Sequence, residues 1–167
     1  LKSSTVPSIE EELMGFTSQM MFGISEVLAG TQYHLVLTPH AHQKDPMAPV
    51  RYILDTGSAD GVIISRTQAD DPRVRYMHDR GFPFATHGRT STGIDHPYFD
   101  FDNEAFARIC VRALADRGRR NLLLVAPPQA HNYAQHQIAG FLEECDLLGL
   151  RSEVLAAANS DSGAGLI

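Results

Sequence analysis

The sequence predicts an α/β fold in which helices cover the faces of doubly wound parallel sheets. Strand-like and helix-like segments alternate along the chain with short connectors, which is the pattern of parallel strands joined by right-handed crossovers. The segment Asn121 to Ala126, NLLLVA, is too apolar for a half-exposed strand and predicts a sheet covered on both faces. Residues 101–128 have the pattern of a strand end, a helix, a turn and a strand, so they form a β-α-β module.

The first helix and strand are predicted near the start of the chain. Over residues 10–28 the apolar residues share one helical face, and Gly30 follows as a stop. Tyr33 to Thr38, YHLVLT, is typical of a strand and ends at Pro39. Residues 1–7 give no clear element.

The middle of the chain continues the alternation. Helices are expected over residues 46–56, with Gly57 as the stop, and over 71–81, where Asp71-Pro72 opens the helix because proline is favoured at the first helical position. Buried strands are expected at Gly61 to Ser65 and Phe82 to Thr86. A loop rich in Gly, Ser and Thr then spans residues 88–97.

The helix of the β-α-β module follows a short alternating strand that closes at Phe99 and Phe101. Asp102 and Asn103 can cap it, because their side-chain oxygens accept hydrogen bonds from the free amides of a first turn. Gly118 marks its end. Its spacing predicts one apolar face, the kind that packs on a core, made of Phe106, Ile109, Cys110, Ala113 and Leu114.

A last helix is predicted over residues 134–148, with Gly149 beyond its end. A strand could start at Val154 to Ala157, and residues 160–165 are a small, polar tail. The residues of this helix expected to face inward are Ile138, Phe141, Leu142 and Cys145.

Composition limits the classes of protein. The 167 residues suit one domain or slightly more, and 43% hydrophobic residues allow a sizeable core. The net charge of −6 disfavours DNA binding by these residues alone, because an acidic surface repels phosphates. No apolar run could span a membrane, and residues 1–12 show no signal peptide. Cys110 and Cys145 are expected as buried thiols without a disulfide, compatible with a cytoplasmic location.

Few patterns indicate bond-making chemistry. The pair His40 and His42, near Asp45, fits either a metal site or solvated loop histidines, and its place in a proline-bounded loop favours the solvated histidines. Serine-hydrolase, dinucleotide and phosphate-loop motifs are absent, so we expect neither a metal nor a cofactor. Asp100 and Asp102 could be paired carboxylates, although helix capping by Asp102 explains that residue more simply.

Polar side chains instead follow the predicted strands. They occur at Thr38, Ser65, Thr86 to Arg89, Asp102 and Gln129 to Gln137. Because the carboxyl ends of parallel strands face one crevice, these groups predict a binding site there. Hydroxyl, carboxylate and guanidinium groups beside Phe16 and Tyr133 suit a polyhydroxylated small molecule. For His131 and His136, ligand contact and simple exposure both stay open.

Five segments together resemble the effector-binding domain of the lactose repressor / galactose repressor (LacI/GalR) family of bacterial transcription regulators. The match extends from about residue 14 to 155. The segments are ADGVII (59–64), RGFPFATHGR (80–89), FDFDNEAFA (99–107), LADRGRRNLLLVAPP (114–128) and IAGFLEECDLLGL (138–150).

The resemblance implies a periplasmic-binding-protein-like fold of type I with two lobes and an effector in the cleft between them. Residues 1–101 would form the N-terminal lobe and residues 102–167 the start of the C-terminal lobe. The DNA-binding head, the first core strand and the rest of the second lobe are expected in a longer native chain.

The resemblance also implies the residues that meet the effector. They are Phe16, Thr17, Arg89, Asp102, His131 and Tyr133. Gln137 stands where family members usually carry an arginine that binds ligand oxygens, which indicates a different effector. The family's G-H-R-R is also G-R-R here, at Gly118 to Arg120.

We therefore expect the carbohydrate-sensing part of a repressor. It would be a cytoplasmic homodimer that reaches operator DNA only through an N-terminal head, with no membrane contact. The alternative is a secreted sugar-binding protein of an uptake system with the same fold. An α/β enzyme is the third interpretation, and it lacks a visible nucleophile and base.

Overall fold

The computed structural model describes residues 9–38 and 45–156. The chain divides into two compact units, Leu1–Gln43 and Lys44–Ile167, and each is considered by itself. Within the described residues, no helix is both long and apolar enough to cross a membrane. The predicted features at residues 1–7, at His40 and His42 and in the polar tail lie outside these ranges.

The first unit contains one long helix. α1 spans Ile9–Leu28, close to the predicted bounds, and Gly30 follows with a φ of 83°. The predicted strand at residues 33–38 is wrong, since this stretch pairs with none of the described strands. Val36 and Leu37 are exposed there. An alternating apolar pattern indicates β propensity, but a strand also requires a neighbouring backbone to pair with.

The second unit alternates helices and strands in the predicted order. Its elements are α2 (Ala48–Thr56), β1 (Val62–Ile64), α3 (Pro72–Asp79), β2 (Phe84–His87), β3 (Tyr98–Phe99), α4 (Asn103–Ala115), β4 (Asn121–Ala126), α5 (Asn132–Leu147) and β5 (Arg151–Ala156). The short strand expected to close at Phe99 and Phe101 stops at Phe99. The predicted last strand starts earlier than expected.

All described strand pairs are parallel, as predicted. β1, β2 and β3 form one sheet in that order, with Val62 opposite Phe84 and Thr86 opposite Tyr98. β4 and β5 form a second sheet, with Asn121 opposite Arg151. Because all strands within a sheet run the same way, the polar residues that follow them gather at one edge of that sheet.

Local signals at the helix ends are confirmed. Pro72 lies at the start of α3, and Asp102 caps α4 by accepting a hydrogen bond from the Ala105 amide at 2.9 Å, both as predicted. Asp71 caps α3 in the same way, by accepting a hydrogen bond from the Arg73 amide. Gly57 ends α2 in the left-handed region, with a φ of 59°.

Two cores hold the second unit together. Val50, Ile64, Val74 and Met77 form the core beside the first sheet. The core beside the second sheet contains Ala107, Val111, Leu122, Phe141, Cys145 and Leu150. Cys145 is buried as predicted, and this burial, with the charge of Glu144, raises the pKa of its thiol.

The predicted apolar face of α4 is not the buried one. Ile109 is 66% exposed, Phe106 and Cys110 are also exposed, and Ala107 and Val111 are buried in their place. The reason is the close approach of α5, where Gly140 faces the backbone of Glu104. Helices that approach so closely can place only small side chains between them.

The second sheet is also covered on one face only. Leu122 and Ala126 pack into the core, while Leu123 and Val125 are 56% and 52% exposed, and no described element packs over them. The prediction of coverage on both faces is therefore wrong for the described part of the chain. Two further residues predicted as buried are exposed, Ile63 of β1 and Leu142 of α5.

Candidate functional site

Arg89 lies just after β2 and is held from two sides. Its Nε donates to Asp100 Oδ2 at 2.9 Å, and its backbone amide donates to the same oxygen at 3.1 Å. Its Nη2 lies 2.9 Å from His136 Nδ1 on α5. The Arg89 side chain is still 34% exposed, so part of the guanidinium remains available to a ligand.

Asp100 is the carboxylate that meets Arg89, and its side chain is largely buried. It also accepts a hydrogen bond from the Phe101 amide at 2.8 Å and a longer one from Asn103 Nδ2 at 3.4 Å. A carboxylate with this many donors is fixed in orientation. Asp100 therefore fixes the position of the Arg89 guanidinium.

Asp102, two residues further on, has a different environment. It is exposed, and one of its oxygens accepts the amide of Ala105 at the start of α4. The expectation of helix capping at Asp102 is confirmed, and the interpretation of Asp100 and Asp102 as paired carboxylates is not supported by these contacts.

The backbone carbonyl of Arg89 joins three parts of the unit. It accepts hydrogen bonds from Asn132 Nδ2 at 2.7 Å and from Thr67 Oγ1 at 3.0 Å, and both of these side chains are buried. The backbone N–H of Asn132 donates in turn to the backbone carbonyl of Thr67 at 2.9 Å. Gly88 is required beside them, because a Cβ there would lie 2.5 Å from Thr67 Oγ1 and its φ is 113°.

Gln137 lies on α5 and contacts the start of α4. Its Nε2 donates to Asn103 Oδ1 at 3.0 Å, and Asn103 is buried. The side-chain amide of Gln137 therefore helps to hold α4 and α5 together at the site. An arginine at this position, as in most family members, would be longer and cationic and would contact α4 with a different geometry.

His131 and Tyr133 form a stacked pair at the start of α5. Their ring centroids are 5.5 Å apart with an interplanar angle of 9°. Burial lowers the pKa of His131, and the charges of Arg66 and Arg73 lower it further, although the Arg66 carbonyl opposes them. His131 Nδ1 is buried without a hydrogen-bond partner. Arg66 has a φ of 53°, an uncommon conformation for a residue other than glycine.

The lowered pKa of His131 predicts acid sensitivity. Below the ordinary value of 6.5 the unfolded chain binds a proton at this residue more readily than the folded chain does. Stability contributed by the neutral ring is therefore lost as the pH falls below that value. We expect the melting temperature to fall less between about pH 7 and about pH 5.5 in His131→Phe, which keeps the stacking but does not titrate. Parallel curves for the two proteins would contradict this.

A small cavity opens beside Arg89. Its volume is about 120 Å³, and it is lined by Arg89, Thr90, Ile94, Asp95, His96 and Tyr98. A larger cavity, of about 400 Å³, lies at the other end of α4 and α5 and includes Arg112 and Leu147. Of the predicted site residues, Arg89 lines the smaller cavity, and it follows the carboxyl end of β2, the end at which parallel α/β sheets bind ligands.

The structure brings together most of the predicted site residues. Arg89 and Gln137 belong to one hydrogen-bonded cluster through Asp100 and Asn103, and Asp102 is adjacent to both of those residues in the chain. His131 and Tyr133 lie at the start of α5, next to Asn132, which holds the Arg89 carbonyl.

The remaining predicted residues belong to the first unit. Thr17 is half-buried on α1, and the side chain of Phe16 lies outside the described part of the chain. Among residues 9–38 and 45–156, no group of His, Cys, Asp or Glu side chains could hold a metal ion.

Four site residues were not predicted in their observed roles, namely Thr67, Asp100, Asn103 and Asn132. The local signals were the acidic repeat at Asp100 and Asp102, the capping pair that includes Asn103, and the polar stretch Gln129 to Gln137 that includes Asn132. Their hydrogen bonds connect residues as far apart in the chain as Arg89 and Asn132. The roles of these residues therefore depend on how the folded chain brings distant segments together.

Comparison with known proteins gives consistent matches. The profile of the family described as periplasmic binding proteins and sugar binding domain of LacI family matches residues 9–165. The HTH-type transcriptional regulator RafR of Escherichia coli is 28% identical over 153 residues, which is 92% of this chain and 45% of RafR. The HTH-type transcriptional regulator AglR of Rhizobium meliloti (strain 1021) is 28% identical over 133 residues, 79% of this chain and 37% of AglR.

Solved structures agree on the fold. A regulatory protein of the LacI family from Chloroflexus aggregans superposes with a TM-score of 0.72 at 25% identity, covering 95% of this chain and 55% of that chain. A transcription regulator like protein from Staphylococcus haemolyticus gives a TM-score of 0.80 at 20% identity, covering 87% and 54%. This chain thus spans about half the length of such proteins, or less.

Proposed function

Because the chain belongs to the family of periplasmic binding proteins and LacI-type sugar-binding domains, we propose that it is the carbohydrate-sensing part of a DNA-binding transcriptional repressor. The observation that carries the proposal is the Arg89 guanidinium, fixed by Asp100 and His136 yet partly open toward a cavity. The similarity to RafR and AglR, both transcriptional regulators, supports a regulator over a solute-binding protein.

The chemistry of this site suits a neutral, hydroxyl-rich ligand. A fixed guanidinium donates directional hydrogen bonds to hydroxyl oxygens, and the exposed carboxylate of Asp102 can accept them. The stacked rings of His131 and Tyr133 provide a flat apolar surface of the kind that covers one face of a sugar. Binding would then require no bond-making residues, consistent with a sensor rather than an enzyme.

The proposed mechanism is a shift between two conformations. The effector favours one arrangement of the two lobes, and the shift can be no larger than the difference in its affinity for the two states. In the intact protein this change would alter the spacing of two DNA-binding heads in a cytoplasmic homodimer. DNA contact would come from those heads, since these residues carry a net charge of −6.

Binding by variants tests the assignment of the site. A thermal-shift screen with sugars, sugar acids and nucleobases would first find a binder. We expect Arg89→Ala and Asp102→Ala each to weaken its binding at least about tenfold, or about 1.4 kcal/mol, by calorimetry. Asp102→Asn separates charge from capping, because asparagine caps a helix about as well as aspartate.

A matched control is Arg117→Ala, since Arg117 is an exposed arginine away from the site whose side chain donates to the carbonyl of Ala113 near the end of α4. The affinity of Arg117→Ala for the ligand found in the screen should equal that of the unmodified chain. Unchanged affinity in both Arg89→Ala and Asp102→Ala would mean that the effector binds elsewhere. Binding of a nucleobase and of no sugar or sugar acid would contradict the assignment of a carbohydrate effector.

A further inference from the structure

We propose that His136 is a positioning residue for Arg89, and that it holds the guanidinium only while its imidazole ring is neutral. The inference rests on the proposed function, since it explains how the effector-binding arginine is kept in place. His136 lies on α5, 47 residues from Arg89 in the chain, and its Nδ1 is 2.9 Å from Arg89 Nη2. A contact of this length is a normal hydrogen bond.

The donors and acceptors of this contact fix the state of the ring. A guanidinium has only N–H donors, so His136 Nδ1 must offer a lone pair to accept from Arg89. The proton of a neutral ring then lies on Nε2. A protonated ring carries hydrogen on both nitrogens, so it can no longer accept from Arg89 and it repels the guanidinium as a like charge.

A second partner for the same nitrogen is already close. Glu104 Oε1, in the first turn of α4, lies 3.5 Å from His136 Nδ1. This distance is long for a hydrogen bond, but it places a carboxylate where a protonated ring can donate to it after a small movement. His136 Nδ1 can therefore accept a hydrogen bond from Arg89 when the ring is neutral, or donate one to Glu104 when the ring is protonated. It cannot do both at once.

The other charged groups near His136 Nδ1 allow it to contact either Arg89 or Glu104. From the loop after β2 and the residues after β3, these groups are Arg89 itself and Asp100, which accepts a hydrogen bond from Arg89 Nε. On α4, Glu104 lies 3.7 Å from Arg108, which makes a shorter pair with Glu143 of α5 at 2.7 Å. Glu104 is therefore only weakly engaged by Arg108.

Loss of the His136 contact would leave Arg89 attached but less ordered. Asp100 still holds its Nε, but the planar guanidinium, now held at one nitrogen of the side chain instead of two, gains freedom that a ligand must remove on binding. The His136 contact uses only one of the hydrogens on Nη2, so an effector can bind the remaining donors without displacing the histidine. Acidification should accordingly weaken effector binding.

The ring can be tested directly, without an effector. In the unliganded chain labelled with ¹⁵N, we expect NMR at about pH 7.5 to show His136 with Nδ1 unprotonated and Nε2 protonated. Acidification to about pH 5.5 should move the Arg89 side-chain signals. The same signals should stay fixed in His136→Gln, whose side-chain oxygen accepts a hydrogen bond but does not titrate. A neutral ring protonated on Nδ1, or Arg89 signals that do not move, would overturn the proposal.

A binding experiment measures the effect on function. It uses the sugar that raises the melting temperature of the unmodified chain most in the thermal-shift screen. Between about pH 7.5 and about pH 5.5, affinity should fall about threefold to tenfold, the range expected for one hydrogen bond. Whatever its affinity at the higher pH, His136→Gln should show no such fall over the same range, because its side chain does not titrate. A fall of equal size in His136→Gln would assign the effect to another group, such as His131.

The two proposals fail in different ways. If no sugar binds, the proposed function fails while the NMR result still decides the role of His136. If a sugar binds through Arg89 with an affinity that does not change over this pH range, the role of His136 fails and the proposed function stands.

Discussion

Replacing Asp71 with alanine is expected to destabilise the second unit by about 3–5 kcal/mol, the typical cost of removing one partner from a buried ion pair. The Asp71 side chain is 0% exposed and lies 2.7 Å from Arg73 Nη2. It also accepts hydrogen bonds from Arg73 Nε at 2.9 Å and from the amides of Gln68 and Arg73. Without Asp71, the two amides and Arg73 Nε lose their acceptor. The mostly buried guanidinium loses its counter-charge and keeps only the carbonyls of Ser65 and Arg66 as acceptors, each at 3.2 Å from Nη2.

The same carboxylate gives stability a definite dependence on pH. Burial opposes the charge of Asp71, but Arg73 and the two amides outweigh it and lower the pKa below the ordinary value of 3.8. The contribution of a carboxyl group with a lowered pKa is present above its unfolded value and is lost as the pH falls through the folded value. The stability contributed by Asp71 therefore begins to be lost below about pH 3.8. The stability contributed by neutral His131 begins to be lost at a higher pH, below its ordinary pKa of 6.5.

Urea unfolding at neutral pH measures the effect, with Asp70→Ala as the matched control. Asp70 is the preceding residue and pairs with Arg75 at 2.6 Å, but its side chain is 74% exposed. Exposed ion pairs contribute about 0–1 kcal/mol, so this variant should unfold almost as the unmodified chain does. Equal losses in the two variants would show that Asp71 is not buried in its ion pair as described.

Replacing Gly140 with alanine is expected to destabilise the packing of α4 against α5 by about 1–3 kcal/mol. A Cβ at position 140 would lie 2.5 Å from the carbonyl oxygen of Glu104 and 2.8 Å from its Cα. Both are backbone atoms that cannot rotate away, so the helices must separate. The separation would open the core at Ala107 and Val111 and displace Glu104 from His136.

Gly23→Ala is the control for this substitution. Gly23 lies inside α1, and a Cβ there has no atom within 4 Å. Alanine favours helix over glycine by about 0.5–1 kcal/mol, so this variant should unfold at equal or higher urea concentration. If Gly140→Ala is equally stabilising, then α4 and α5 do not approach as closely as the structure shows.

The elements that the sequence predicted well have local causes. The start of α4 follows from the side chain of Asp102 and an amide three residues later, and the end of α2 follows from Gly57. Neither depends on distant parts of the chain. The parallel sheets follow from the order of the elements, because a helix between two strands allows them to run the same way.

The features predicted wrongly depend on distant partners. The buried face of α4 is decided by Gly140, which lies on another helix, and helical spacing in α4 alone favoured its larger residues. Residues 33–38 have the composition of a strand, but they pair with no described strand. Burial of both faces of β4 was inferred from its apolar residues, whereas the described helices reach only one face.

The candidate site was predictable in part. Resemblance to a known family indicated Arg89, and the order of the strands indicated the edge at which it lies. The choice between Asp100 and Asp102 as its partner was not available from sequence, since two acids two residues apart fit the same pattern. The path of the loop decides it, by directing Asp100 toward the Arg89 guanidinium and Asp102 toward the Ala105 amide.

The way in which Arg89 is attached bears on how this site can evolve. Its carbonyl, not its side chain, holds Thr67 and Asn132, and Asp100 would keep the amides of Arg89 and Phe101 as donors if the guanidinium were lost. If Arg89 binds the effector as proposed, mutation at position 89 would alter recognition while leaving these structural contacts in place. Selection would then retune the preferred ligand at this position with little penalty in folding, and paralogues would diverge here first.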